Sequence, residues 1–355
     1  MNSLAHRGDY TILVTGGCGF IGSHLVRLIS QERPNWRVVN VDNLTYAGNL
    51  ANLAEDGIIS DSNQYRFVRA DIADAHKMRV LFDSERIDAV VNLAAETHVD
   101  RSLLDSAPFL RTNIEGTRVL LEEASRHGAC RFLQVSTDEV YGSLAGGDPP
   151  FSEQNPLQPN SPYAASKAAA DLMARAYCRS FDLPLLITRC GNNYGPYQFP
   201  EKFLPLFITN ALDNECLPLY GDGLYIRDWI HVEDHVRALL QVLEAGTSGE
   251  IYNISAGDEQ TNLHMAERLL YFLNKPKSLI RYVKDRPGHD RRYALDGTKI
   301  QSELGWQPRI SLQEGLQCTI IWYQEHRAWW EQIKSGEYRT FYAQWYLDRL
   351  EEGLE

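Results

Sequence analysis

The stretch Thr11-Ile-Leu-Val-Thr-Gly16-Gly-Cys-Gly19-Phe-Ile-Gly22-Ser-His-Leu-Val-Arg-Leu-Ile29 decides the fold. Its first five residues are apolar or β-branched and read as a buried strand. From Ser23 the apolar residues recur at helical spacing. Gly16, Gly19 and Gly22 fill the turn between them. Such a turn lets the backbone approach a diphosphate, whose charge then sits at the helix N-terminus. A second strand, Arg37-Val-Val-Asn-Val41, closes at Asp42, twenty positions beyond Gly22. An acid there binds the ribose hydroxyls of an adenosine. It also repels a 2′-phosphate, so NAD is expected over NADP.

Outward from this unit, strands and helices alternate. Tyr65–Arg69 is a third strand that runs to Asp71 and Ile72. Asp71 reads either as a contact to the adenine amino group or as the N-cap of the helix after Asp74. Ala89–Ala95 is a fourth strand, small at its end, where a flat ring can lie against the backbone. Thr97 follows as a candidate substrate contact, and His98 reads as structural. A long helix is expected over Ser106–His127, a fifth strand over Arg131–Ser136, a helix over Tyr163–Phe181 and a sixth strand over Leu185–Arg189. This alternation predicts an α/β fold with a Rossmann-type doubly wound parallel sheet. Breakers over Gly146–Pro150 and Asn155–Pro162 mark a loop expected to cover the site.

After Arg189 the texture changes to short strands, helices and turns. The expected organisation is a dinucleotide-binding domain over 1–190, which also carries the catalytic residues, and a smaller mixed α/β C-terminal substrate domain over 191–330. Some segments of the latter should return to the first domain. Residues 331–355 form a tail of unassigned role. Trp322, Trp329, Trp330 and Trp345 read as helical packing. Lys202, Arg227, Arg286, Arg291 and Arg292 are the cations available for diphosphate oxygens. Arg227 is preferred because it lies between Tyr225 and Trp229.

Composition narrows the function. The 355 residues are 44% apolar and 23% charged, as in soluble globular proteins. A net charge of −12 argues against nucleic acid or an anionic membrane as partner. The six cysteines are scattered without a C-x-x-C. That speaks against a metal site or disulfide framework and suits a reducing cytoplasm. The first ten residues are polar and do not read as a signal peptide. No run approaches the roughly 18 apolar residues of a membrane span.

The chemistry is carried by Val135-Ser-Thr-Asp-Glu-Val-Tyr-Gly142. A hydroxyl pair and two adjacent carboxylates, Asp138 and Glu139, stand at a strand end, where ligands bind in such sheets. Two carboxylates in different surroundings can divide acid and base roles; a solvated turn is the other reading of the same residues. Downstream, Tyr163-x-x-x-Lys167 places both side chains on one helix face, as active pair or as surface pair.

With the glycine motif and Tyr163-x-x-x-Lys167 in one chain, the sequence resembles the extended short-chain dehydrogenase/reductase superfamily. Within it, Ser136–Gly142, Asn192-Asn-Tyr-Gly-Pro-Tyr197, Phe199-Pro-Glu-Lys202, Tyr220-Gly-Asp-Gly223, Arg227-Asp-Trp229 and Arg286-Pro-Gly-His-Asp-Arg-Arg-Tyr293 resemble the dTDP-glucose 4,6-dehydratases. The likeness runs from about Thr11 to Trp329–Trp330. It implies catalytic roles for Thr137, Asp138, Glu139, Tyr163 and Lys167. It implies NAD contacts for Gly16, Gly19, Phe20, Ile21, Gly22, Asp42, Asn43, Asp71, Ile72, Leu93, Ala94 and Thr112, with Tyr163 and Lys167. It implies nucleotide-sugar contacts for Thr97, Thr137, Asn192, Asn193, Lys202, Pro218, Tyr220, Arg227, Asn262, Arg286, His289 and Tyr293. It also implies a homodimer, in which the two long helices pair with their copies.

The implied reaction is dehydration of a nucleotide-bound glucose, dTDP-glucose foremost, with UDP- and CDP-glucose as alternatives. Tyr163 takes the 4-hydroxyl proton while hydride leaves C4 for NAD. The ketone acidifies C5–H; Glu139 is the base there and Asp138 the acid that releases the 6-hydroxyl as water. Hydride returns to C6. A tyrosine of ordinary pKa near 10 is a poor base, so Lys167 and the nicotinamide cation should lower it. A nucleotide-sugar epimerase would leave Asp138 and Glu139 unexplained, and in a decarboxylase Asp138 would repel the sugar carboxylate. A non-catalytic NAD-sensing protein on the same fold should have lost at least one of Tyr163, Lys167, Asp138 and Glu139.

Overall fold

The computed structural model describes residues 10–54, 63–128, 131–335, 342 and 345. The N-terminal segment, Cys130 and most of the tail after 335 lie outside the described residues. In chain order the strands are β1 (Tyr10–Thr15), β2 (Trp36–Asp42), β3 (Tyr65–Arg69), β4 (Ala89–Asn92), β5 (Arg131–Thr137) and β6 (Leu185–Cys190). β7 (Asn192–Tyr194), β8 (Leu217–Tyr220), β9 (Ile226–His231), β10 (Ile251–Ile254), β11 (Glu259–Thr261) and β12 (Ile280–Val283) follow.

Seven strands form one sheet in the order β10-β6-β5-β4-β1-β2-β3, with every neighbouring pair parallel. The chain builds β1, β2 and β3 outward, then crosses back to place β4 on the other side of β1. That reversal opens a crevice at the carboxyl ends of β1 and β4, the place where such sheets bind ligands. A parallel sheet must be covered on both faces, and the strand residues alternate accordingly. Ile12 and Val14 pack with Leu25, Val26, Leu239 and Val242 on one face. Leu13, Val39, Val41 and Phe132 pack with Met78, Leu81 and Leu120 on the other.

Residues beyond 190 contribute to both layers. β10 adds the edge strand beside β6, and the helix Val232–Ala245 covers the sheet against the helix Phe20–Glu32. The rest builds a second core in which Tyr194, Phe207, Trp229, Leu269, Leu316, Tyr323, Trp330 and Trp345 meet. Two small sheets frame it, β11-β9-β7 and β12-β8.

Three sequence expectations change. β4 stops at Asn92 rather than Ala95. The helix expected over Ser106–His127 is three joined pieces: Ala107–Phe109, a wider π-helical stretch over Leu110–Gly116, and Thr117–Arg126. The wide turn carries Asn113, whose amide bonds the backbone N–H and C=O of Glu96 and the Ser166 hydroxyl. The breaker-rich loop contributes no residue to the lining of the crevice. Leu144 and Phe151 bond the backbone of Arg292 and Ala294, and Asn160 bonds Asp290.

Candidate active site

The glycine turn builds the first part of the site. Gly16 adopts φ +70°, and a Cβ there would stand 2.8 Å from the Ala94 backbone. A Cβ on Gly22 would lie 2.1 Å from the Gly16 carbonyl oxygen. The helix Phe20–Glu32 therefore starts directly against the strand end. Its N-cap, Gly19, offers no side-chain cap, so the free N–H groups of the first turn face the crevice. That is a fit for a diphosphate. Asp42 is 8% exposed and accepts hydrogen bonds from Cys18 N at 2.9 Å and Leu44 N at 2.8 Å. Each oxygen retains a lone pair for a ribose hydroxyl.

Gly16, Gly19, Phe20, Ile21, Gly22, Asp42, Asn43, Asp71, Ile72, Leu93, Ala94 and Thr112 all line one cleft. The question over Asp71 resolves in part. Asp74 is the cap of the helix Ala75–Ser84, accepting from Lys77 N. Asp71 instead bonds Ala73 N at 2.8 Å and pairs with Arg111 at 2.8 Å.

The same cleft continues to the end of β5. Thr137 closes that strand, and its hydroxyl accepts from Glu139 N, starting a tight turn over Asp138–Tyr141. Gly142 ends the turn at φ +91°, where a Cβ would stand 2.4 Å from the Gln158 carbonyl oxygen. The facing helix, Pro162–Phe181, is capped by the Ser161 hydroxyl with proline at its first position. Tyr163 thus enters the cleft from the first turn of a fixed helix. Thr137, Asp138, Glu139 and Tyr163 line the cleft, whereas Lys167 lies one turn behind and donates to the Val135 carbonyl at 2.7 Å.

The two carboxylates differ. Asp138 is 2% exposed, its Oδ1 accepts from the Thr137 hydroxyl at 3.0 Å, and its Oδ2 is buried without a partner. Burial first, then the charge of Glu139, pushes its pKa up to about 8. Glu139 opens to the cleft; burial pushes it up, while Arg286, Arg227 and Lys202 pull it back. Tyr163 departs from the sequence expectation. Burial and the charges of Glu139 and Asp138 push it well above its ordinary value, against one hydrogen bond from Thr137. Lys167 is itself driven down to about 8 by burial. The chain's own residues therefore hold Tyr163 protonated.

On the far side, Thr97, Asn192, Asn193 and Lys202 line the cleft. Lys202 is anchored by a 2.7 Å bond to the Thr97 carbonyl. The remaining expected substrate residues stand outside that lining as a shell. Arg227 lies 4.3 Å over the Tyr293 ring, with Nη2 buried and unpaired. Arg286 and Tyr220 both bond Asp100, at 2.9 Å each. His289 stacks on Tyr225 at 3.7 Å and bonds Asp285. Pro218 is buried within β8, and Asn262 opens the helix Asn262–Phe272 beside Tyr225. Of the remaining cations, Arg291 is held by Asp222 and Arg292 by Glu259. His98 caps the helix Val99–Leu104.

The cleft also contains Tyr46, Glu96, Glu201 and His235, to which the sequence reading assigns no role. Arg101 stacks 4.3 Å over Tyr46 and pairs with Glu201 at 3.2 Å, tying the loop after β2 to the segment before Lys202.

Comparison with known proteins agrees with this geometry. A family model described as GDP-mannose 4,6 dehydratase matches residues 13–319. A dTDP-glucose 4,6-dehydratase of Streptomyces niveus is 50% identical over 333 residues, covering 93% of this chain and 97% of the relative. The solved structure of a dTDP-glucose 4,6-dehydratase from Streptomyces venezuelae with NAD bound is 50% identical, with a TM-score of 0.87 over 91% of this chain and 100% of that one. A UDP-glucose 4-epimerase from Thermotoga maritima is 33% identical, with a TM-score of 0.82 over 89% of this chain and 99% of that one.

Proposed function

The chain belongs to the GDP-mannose 4,6 dehydratase family, and from that premise we infer that it is an NAD-dependent hydro-lyase converting dTDP-glucose to dTDP-4-keto-6-deoxyglucose. The observation that carries the reading is the unequal pair at the end of β5. Asp138 is held up to about 8 with one buried oxygen unpaired, beside a Glu139 that opens to the cleft. An epimerase needs neither group.

Held by the turn at Gly16, Gly19 and Gly22 and by Asp42, NAD would supply the acceptor for the C4 hydride and its donor to C6, and its oxidised form a positive charge that favours the Tyr163 phenolate. Everything else falls to the chain. With that positive charge present, Tyr163 as its phenolate would take the 4-hydroxyl proton, with Thr137 hydrogen-bonded to it. Glu139, eased toward its charged form by Arg286, Arg227 and Lys202, removes the C5 proton. Asp138, still protonated at neutral pH, gives its proton to the departing 6-hydroxyl. The turn at Gly16, Gly19 and Gly22 seats the cofactor diphosphate, and Asp42 the ribose. Lys202, Arg227 and Arg286 face the substrate diphosphate, with Thr97, Asn192, Asn193, Pro218, Tyr220, Asn262, His289 and Tyr293 around the sugar and base. On this reading residues 1–190 hold the cofactor and 191–330 mainly the nucleotide sugar, with β10 and the helix Val232–Ala245 returning to the first layer.

We also propose a homodimer. Leu110, at the start of the π-helical stretch, and Leu172, on the helix Pro162–Phe181, are 52 and 56% exposed, apolar surface on the two helical segments expected to pair with their copies. Light scattering at micromolar concentration tests it, and a monomer overturns it. No helix among the described residues is long and apolar enough to cross a membrane.

Product analysis tests the activity. Incubation with dTDP-, UDP- and CDP-glucose should yield a 4-keto-6-deoxy product fastest from dTDP-glucose. Formation of the C4 epimer instead would overturn the assignment.

A further inference from the structure

The catalytic helix carries a third buried ionisable residue one turn beyond Lys167. Tyr163, Lys167 and Asp171 repeat at intervals of four and so share one helix face. Their exposures are 8, 6 and 1%. Asp171 does not line the cleft. Its Oδ2 accepts from Arg189 Nε at 3.0 Å. Arg189 Nη1 donates to the Tyr141 hydroxyl at 2.8 Å, and its guanidinium lies 4.7 Å over that ring. Tyr141 in turn donates to Asn253 Oδ1 at 2.9 Å. Tyr141 belongs to the turn that begins with Asp138 and Glu139. One run of contacts therefore joins the helix of Tyr163 and Lys167 to the turn of the two carboxylates.

The second carboxylate oxygen behaves differently. Among the described residues Asp171 Oδ1 is buried without a hydrogen bond of good geometry, with the Ser136 hydroxyl and the Lys167 charge the remaining groups that ease its carboxyl toward the charged form. Lys167 Nζ has, among the described residues, a neutral acceptor at hydrogen-bond distance, the Val135 carbonyl, and no carboxylate. A carbonyl satisfies a hydrogen bond and leaves the charge unbalanced. We propose that Asp171 is a positioning residue for the dehydration: its carboxylate is the counter-charge that keeps Lys167 protonated, and its pairing with Arg189 fixes the Lys167 helix to the Asp138–Glu139 turn. The proposal rests on the reaction assigned above.

The physical case is one of sign. Burial drives an ammonium toward its neutral form, and burial is the main influence on Lys167, with Asp171 the group that opposes it. Without that charge Lys167 loses its proton at lower pH, and the cation next to the Tyr163 site is gone. The ionisable groups around this face are Tyr163 and Asp171 on the helix, Arg189 on β6, and Asp138, Glu139 and Tyr141 on the turn after β5. A buried Asp–Arg pair that serves only packing can be exchanged for neutral residues of similar shape with little loss. That supplies the control.

The experiment compares wild type, Asp171→Asn and the double variant Asp171→Asn/Arg189→Gln. The double variant removes both charges and keeps hydrogen-bonding side chains, so it decides the matter if the single variant does not fold. The readouts are the pH profile of kcat on dTDP-glucose and the thermal midpoint. Neither Asp171 nor Arg189 is among the charges that shift Asp138, so the displacement of the limb is read on Lys167. The expected result is an alkaline limb displaced to lower pH by at least about one unit in the double variant, a tenfold change in the proton affinity of Lys167. Asp171→Glu should restore the limb. A double variant whose limb stays with wild type overturns the proposal whatever its stability. Failure of the wild-type chain to dehydrate dTDP-glucose would overturn the underlying reaction assignment instead.

Discussion

At the scale of single residues, the burial of Asp138 sets a testable pH dependence. Its carboxyl is raised to about 8 by burial and by Glu139, so it keeps its proton below that pH and loses it above. The proton donor for the 6-hydroxyl is then depleted as pH rises through about 8, and turnover should fall on the alkaline side. Asp138→Asn and Glu139→Gln remove the acid and the base while keeping shape. General acid–base groups contribute about 10²–10⁴-fold each, so water loss should slow by that order in either variant, while oxidation at C4, hydride from carbon and proton from the hydroxyl, persists. Tyr163→Phe should block the first step. Dehydration at the wild-type rate in both carboxamide variants would sink these roles. The position of Tyr163 teaches a further point. A Tyr-x-x-x-Lys spacing places the two on one face, yet the bonding of Lys167 to Val135 and the two nearby carboxylates is a matter of tertiary environment that no spacing encodes.

At the scale of elements, the turn after β1 is the most demanding piece of backbone. A Cβ at position 22 would meet the Gly16 carbonyl oxygen at 2.1 Å and the Gly17 Cα at 2.8 Å. Both obstacles are backbone, so the helix must shift away from the strand end in Gly22→Ala. Overpacking of this kind costs about 1–3 kcal/mol; taken wholly as lost binding at the turn, that is roughly a 5- to 150-fold loss in NAD affinity. Denaturing the purified protein and assaying the released nucleotide checks this: wild type should carry NAD and the variant little, and equal content in both would refute it. The strand, glycine turn and acid were legible in the sequence because each leaves a local pattern, and so were β1 to β6 and the parallel sheet. The π-helical turn at Leu110–Gly116 was not, because its residues keep an ordinary helical pattern and the widening accompanies contacts of Asn113 with Glu96 and Ser166, 17 and 53 positions away. Asp171 repeats the spacing of Tyr163 and Lys167, which was a signal available in the sequence; its partner Arg189 is known only from the fold. The loop expected over the site contributes nothing to the cleft lining, because glycine and proline announce a turn without saying which way it packs.

At the scale of the whole molecule, the cleft is built by parts of the chain that lie far apart, from Gly16 at the end of β1 to Lys202 before the second core. One sugar ring must therefore be gripped from both sides while its C4, C5 and C6 react in turn. Dehydratase, epimerase and decarboxylase chemistry all begin at C4, and they part company in where the hydrogens finish. On the proposed roles, with Glu139 drawing the C5 proton and Asp138 releasing the 6-hydroxyl, C6 becomes the electrophilic carbon, so the hydrogen that leaves C4 should end in the methyl group. The proton on C5 passes through a carboxyl that exchanges with solvent. dTDP-glucose deuterated at C4 should thus give a product with deuterium in its methyl group, transferred within one molecule. A mixture of C4-deuterated and unlabelled substrate should show no crossover, because the sugar stays in one cleft until the transfer is done. The same conversion in heavy water should place solvent deuterium at C5. An epimerase would return the label to C4, and a decarboxylase would leave dTDP-glucose untouched while releasing carbon dioxide from a glucuronate. Label retained at C4, or a methyl group without it, would remove Asp138 and Glu139 from the centre of the site, since no other pair of carboxylates at the end of β5 could divide the two proton transfers.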